Sequence, residues 1–126
     1  MRCAGRIYFR IMEARHIDLE YLERFCKGDQ ARMEKYARIY LEGAPGLFAQ
    51  LEECLDTGNG EGLAVTAHTL RPQVNFMGAQ SLLDLLTATE ERARKTGAAD
   101  CAELVGQARS LHEQVMTELR ARFNRP

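Results

Sequence analysis

The sequence predicts an all-α protein. Apolar residues recur at three- and four-residue spacing along almost the whole chain. Alternation of period two, sustained enough for several strands, is absent, and capping residues and glycines break the pattern at helix-sized intervals.

The elements follow in order. Asp18 is a good N-cap for a short first helix, with Ile17 and Leu22 spaced for a hydrophobic staple and Gly28 as its stop. Asp29 can cap a longer second helix. Its stripe of Met33, Tyr36, Ala37, Tyr40, Leu41, Ala44, Leu47, Phe48, Leu51, Cys54 and Leu55 runs to the break at Gly58-Asn59-Gly60. Pro45 removes a donor to the Leu41 carbonyl, so a kink or short break is expected within this helix, and the unbroken phase of the stripe favours the kink. The tyrosines and Met33 fall on the stripe and are read as core.

A third helix is expected from about Asn59 to Met77 with Gly78 as its left-handed cap, and a fourth from about Ala79 through Leu82, Leu85, Leu86, Thr89 and Ala93 to Gly97. Asp100 opens a fifth, with Glu103 at the reciprocal capping-box position and a stripe of Leu104, Ala108, Leu111, Val115 and Leu119. The run Glu90-Glu91-Arg92-Ala93-Arg94-Lys95 reads as a solvated face. Short connections between long amphipathic helices imply antiparallel neighbours. The expected architecture is an antiparallel up-and-down four-helix bundle with an additional short N-terminal helix. At 126 residues the chain is one domain, spanning 16–126, and residues 1–15 form an extension with no assigned element or role.

Composition narrows the function. Lysine plus arginine total 17 against 18 acidic residues, a net charge of −1, which offers no electrostatic footprint for nucleic acid or an anionic membrane. No apolar run is long enough to span a bilayer, and Arg2, Arg6, Arg10 and Glu13 interrupt any secretion-signal core. Cys3, Cys26, Cys54 and Cys101 form no C-x-x-C pair, so neither a metal site nor a redox motif is read; parity alone would permit two disulfides. A reducing cytoplasm is the expected address.

Among three histidines, His16 precedes the first cap and His112 lies beside the last stripe, and both are read as structural or solvated. His68 differs. Projecting the third helix at about 100° per residue with Leu63 as zero places Leu63, Thr66, Ala67, Leu70, Val74 and Met77 within roughly 60° of that origin, the core face. His68 falls near ~140°, with Ala64, Arg71, Pro72 and Asn75 on its side. A solvated surface histidine is one reading. The other is chemical: an outward imidazole of ordinary pKa is a competent nucleophile toward a reactive phosphoryl group, Ala64 leaves room for a partner, and Arg71 can balance phosphoryl charge. No acidic residue adjoins His68 in sequence, and Thr69 follows it. Most catalytic groups are therefore expected from a partner.

The segment Ala67-His68-Thr69-Leu70-Arg71-Pro72-Gln73-Val74-Asn75-Phe76-Met77-Gly78-Ala79 resembles the signature of histidine-containing phosphotransfer (HPt) domains, in which A-H-x-L-K-G is followed after a short spacer by G-A. The similarity extends from about Asp18 to Phe123 and includes Asp18-Leu19-Glu20-Tyr21-Leu22 and Gly28-Asp29. It implies a four-helix bundle whose exposed histidine carries a phosphoryl group between aspartates of receiver domains. His68 would be the phosphoacceptor, Arg71 and Gln73 the phosphoryl-stabilising residues, and Ala64, Pro72 and Asn75 the docking surface. Arg71 stands where the family usually has lysine, keeping charge and changing shape. Pro72 stands where it usually has glycine and cannot donate to the His68 carbonyl, so a local bend is expected.

The resemblance further implies a monomeric phosphocarrier without an ATP site, cofactor or metal of its own. Its partners would be the receiver domains of a hybrid histidine kinase and a response regulator, with magnesium on the receiver. Three other readings share these residues: a receiver-binding adaptor that no longer carries phosphate, a purely structural bundle, and a histidine kinase dimerisation region. The last would place an acidic residue after the histidine and needs a nucleotide-binding motif that this sequence lacks.

Overall fold

The computed structural model describes residues 16–123; the expected N-terminal extension and Cys3 lie outside the described residues. Those residues form five α-helices and one 3-10 turn, with no strand among them: α1 (Glu20–Phe25), α2 (Gln30–Asp56), α3 (Gly60–Phe76), α4 (Gln80–Thr96), the turn Ala98–Cys101, and α5 (Ala102–Phe123). The expected all-α class is observed.

Local signals set the boundaries. Asp18 Oδ1 accepts from the Glu20 N–H at 3.0 Å, but the cap position of the first helix is Leu19, one residue later than expected, and it carries no side-chain cap. Asp29 Oδ1 accepts from the Ala31 and Arg32 amides at 3.0 and 3.2 Å, and Asn59 Oδ1 from Gly62 at 2.9 Å. α2 continues through Pro45 without a break, and α3 likewise through Pro72. Each proline removes one hydrogen bond from a helix whose packing supplies the rest.

Gly78 ends α3 at φ +66°, and a Cβ there would collide with the Asp18 carbonyl. The Asp18 amide donates to the Met77 carbonyl at 3.2 Å, so the chain before α1 is tied to the end of α3 at a point only glycine can occupy. The expected Asp100–Glu103 capping box is not how α5 begins. Asp100 lies inside the 3-10 turn, which runs straight into the helix after Gly97 at φ +94°.

Each long helix packs against two others, α2 on α3, α3 on α4, α4 on α5 and α5 on α2, so the four close a ring around one core. Tyr40, Met33, Leu51, Leu63, Leu70, Val74, Leu82, Leu86, Val115 and Leu119 are fully buried there. Packing on two sides widens the buried arc beyond a single stripe. On α5 the buried residues are Val105, Ala108, His112, Val115, Met116, Leu119 and Phe123, while the expected Leu104 and Leu111 are half-buried. Cys26, Cys54 and Cys101 are buried free thiols, not disulfides. No helix among the described residues is long and apolar enough to cross a membrane.

Candidate functional site

The core face of α3 buries Leu63, Thr66, Ala67, Leu70 and Val74, and this turns His68 outward in mid-helix with a side chain 64% exposed. The outward ring is not alone. Its Nδ1 lies 3.1 and 3.2 Å from the two carboxylate oxygens of Glu90, which α4 presents from 22 residues further along the chain. Arg71, one turn after His68, donates to Glu90 Oε1 at 2.9 Å, and Arg94, one turn after Glu90, donates to Oε2 at 3.3 Å. One carboxylate thus gathers an imidazole and two guanidiniums.

The charge state of this group follows from its surroundings. Burial alone would push the Glu90 carboxyl up, but the hydrogen bonds from Arg71, His68 and Arg94 outweigh it and hold the group below its ordinary value of 4.5. Glu90 is therefore ionised at neutral pH and can only accept, so Nδ1 of His68 is the donor. Nε2, across the ring, faces away from the carboxylate. With two guanidiniums and one carboxylate the surroundings of the imidazole carry a net positive charge, suited to an anionic group arriving at Nε2.

The structure joins some of the expected site residues and separates others. Arg71 is in the cluster, and Pro72 and Asn75 are exposed on the same helix. Asn75 lines a polar groove with Asp18, Tyr21, Arg24, Gln80 and Ser81. Ala64 is not on an accessible surface: it is completely buried, because α3 packs against both α2 and α4 and its buried arc extends past the single stripe. The open apolar residue beside His68 is instead Val65, 51% exposed. Gln73 does not join His68 either. Its Oε1 is buried on the side of α3 that faces α2, near Gly43, in a small cavity with Tyr36, Tyr40 and Phe76.

Glu90 and Arg94 were read from sequence as part of a solvated face, and catalytic groups were expected from elsewhere. Arg94 is exposed, but Glu90 is buried. A signal existed: Glu90 stands four residues after Leu86 and three before Ala93, on the very stripe that α4 buries.

The other two histidines have structural partners. His16 pairs with Glu118 through both its backbone amide and its ring. His112 is buried, shares a 2.9 Å hydrogen bond between Nδ1 and the Tyr40 hydroxyl, and stacks on Phe48 with ring centroids 4.0 Å apart. Burial pushes the Tyr40 phenol up and the His112 imidazole down, so both are neutral. No group of three or more His, Cys, Asp or Glu side chains among the described residues is placed to hold a metal ion.

Comparison with family models, with curated proteins and with solved structures returned no match.

Proposed function

We propose that the chain is an HPt-like phosphocarrier of a multistep phosphorelay, taking a phosphoryl group onto His68 from the aspartate of one receiver domain and passing it to another. The observation that carries this reading is the exposed imidazole of His68 with Arg71 one turn away and Glu90 on its Nδ1, which leaves a free, outward Nε2 beside compensating positive charge.

In the forward step the Nε2 lone pair attacks phosphorus, the N–P bond forms, and the acyl phosphate P–O bond breaks with its electron pair leaving on the aspartate carboxylate. Transfer onward reverses these roles at the second receiver, and the electron pair returns to Nε2. Arg71 and Arg94, both bonded to Glu90, supply positive charge for the phosphoryl oxygens. The chain supplies no ATP site in this scheme; the receiver brings the phosphoaspartate and its magnesium. Val65 and Pro72, exposed on either side of His68, form an apolar rim for docking, with modest affinity because a carrier must leave each partner.

The ring of four long helices with short connections supports an antiparallel up-and-down four-helix bundle with α1 at one end and a single domain over residues 16–126; that it works as a monomer in the cytoplasm is part of the same proposal.

Incubation with a phosphorylated receiver domain, followed by intact mass and acid-lability measurement of wild type and His68→Gln, tests the reading. The expected result is an acid-labile gain of about 80 Da on wild type alone, the signature of an N–P bond. Binding to receivers with no transfer from any of them would replace the carrier with an adaptor.

A further inference from the structure

Three of the four large apolar side chains that stand open among the described residues, Tyr21, Phe25 and Ile39, gather around Phe76 at the end of α3. The rings of Tyr21, Phe25 and Tyr36 lie 5.5, 5.1 and 5.4 Å from that of Phe76, the last of them parallel to it, so these residues form one continuous aromatic patch. We propose that residues 1–15 of this same chain cover the patch and, by extending toward His68, gate the access of receiver domains. The gating rests on the phosphocarrier reading above; the cover does not.

The chain is delivered to the patch by its own anchoring. His16 bonds Glu118 on α5 through its backbone amide and its ring, and Asp18 donates to the carbonyl of Met77, the neighbour of Phe76. Residues 1–15 therefore start beside the patch. From Met77 back to His68 is about 14 Å along the helix, whereas fifteen residues reach ~22 Å even at the helical rise. Tethering at this range gives the segment an effective concentration in the millimolar range, which neither a second copy nor a free partner has at ordinary protein concentration.

The segment also matches the surface in chemistry. Ile7, Tyr8, Phe9, Ile11 and Met12 supply apolar side chains, and Arg2, Arg6, Arg10 and Arg15 stand against Glu13 alone, a net charge of +3. The remaining 111 residues carry thirteen basic and seventeen acidic side chains, a net −4. Beside the patch, the groove that Tyr21 shares with Asn75 is lined by the carboxylates of Asp18 and Glu20, and its one guanidinium, Arg24, is bonded to Glu20 at 2.9 Å. An apolar, cationic segment thus meets an apolar surface with an anionic edge. Val65, Pro72 and Phe76 follow one another on the outward side of α3 at intervals of about two turns and one turn, so an occupant of the patch sits at the end of the docking rim beside His68.

The test uses the full chain and a variant, Ile7→Glu with Ile11→Glu, that changes no residue of the folded body. Proton NMR of the Tyr21, Phe25 and Phe76 rings reports the cover: their resonances are expected to shift between wild type and variant, and identical spectra overturn the proposal. Wild-type ring resonances that move on dilution would give the patch to a second copy and overturn it as well. Phosphoryl transfer reports the gate. From a phosphorylated receiver domain the variant is expected to take phosphate roughly tenfold faster than wild type, as when about nine molecules in ten are closed. From potassium phosphoramidate, a small donor whose phosphorus Nε2 attacks as ammonia leaves, the two are expected to react at equal rates, because the His68 side chain is itself 64% exposed. Equal or slower transfer from the receiver to the variant overturns the gate. Failure of both donors to phosphorylate His68 in either protein overturns the carrier reading, and the ring resonances then decide the cover by themselves.

Discussion

At the scale of single residues, the contrast between Arg71 and Gln73 is instructive because the two lie two positions apart on α3. Arg71 donates to Glu90 beside His68, whereas the Gln73 carbonyl oxygen is buried against α2. A two-residue step on a helix turns a side chain by about 200°, enough to move it from one neighbouring helix to another. Arg71→Ala is therefore expected to lower the yield of phosphorylation from phosphoramidate several-fold, with Arg71→Lys recovering part of it, while Gln73→Ala leaves the yield unchanged. Phosphate incorporation measured by mass on the three variants decides this, and a loss in Gln73→Ala as large as in Arg71→Ala would sink the assignment. The guanidinium of Arg71 was legible in the sequence because it lies one turn from His68 on the same helix. Glu90 was not, because 22 residues and a helix reversal separate it from the imidazole it touches.

At the scale of elements, capping residues were the most readable feature. Asp29 caps its helix as expected, Asn59, expected only as the start of the next helix, caps it through Gly62, and Gly78 and Gly97 take the positive φ expected of glycines at helix ends. These signals are local, so the chain's own sequence carries them. Gly78 carries a second requirement that is not local, the close approach of Asp18. Gly78→Ala is expected to destabilise the protein by about 2 kcal/mol or more, since it adds both left-handed strain and a collision with backbone that cannot swing aside. Chemical denaturation measures it, and a change below about 0.5 kcal/mol, the usual range for an unconstrained surface site, would show that the Asp18 segment is free to move away. The start of α5 was misread for a related reason. The Asp100–Glu103 spacing fits a capping box, but Ala98 and Cys101 are buried and draw the segment into a 3-10 turn.

At the scale of the whole molecule, acid sensitivity should follow from two groups that folding holds away from their ordinary values. Burial pushes the His112 imidazole below 6.5, with Glu113 opposing and Arg109 and Arg120 adding to the shift. The unfolded chain thus binds the proton first, and the stabilisation is complete above 6.5 and declines as pH falls below it. Glu90 is also held below its ordinary value, and its contribution is lost only further down, as pH falls below 4.5. Thermal unfolding is expected to show a Tm that is level above about pH 7 and decreases in two stages, with His112→Gln removing the upper stage and leaving the lower one. A wild-type Tm that does not fall between about pH 6.5 and 5 would contradict a buried neutral His112.

What the sequence by itself determined about this protein is everything carried by spacing along one helix: the all-α class, the approximate ends of the five helices, and the outward turn of His68 with Arg71 one turn beyond it. Tertiary structure alone decided which helix faces that imidazole and how each helix is rotated about its axis. A helix packed on two sides buries a wider arc than one stripe predicts, and this took Ala64 out of solvent. It also brought His112 to Tyr40 and Phe48. The rotation is set by contacts between residues distant in sequence, and no period within a single helix records them.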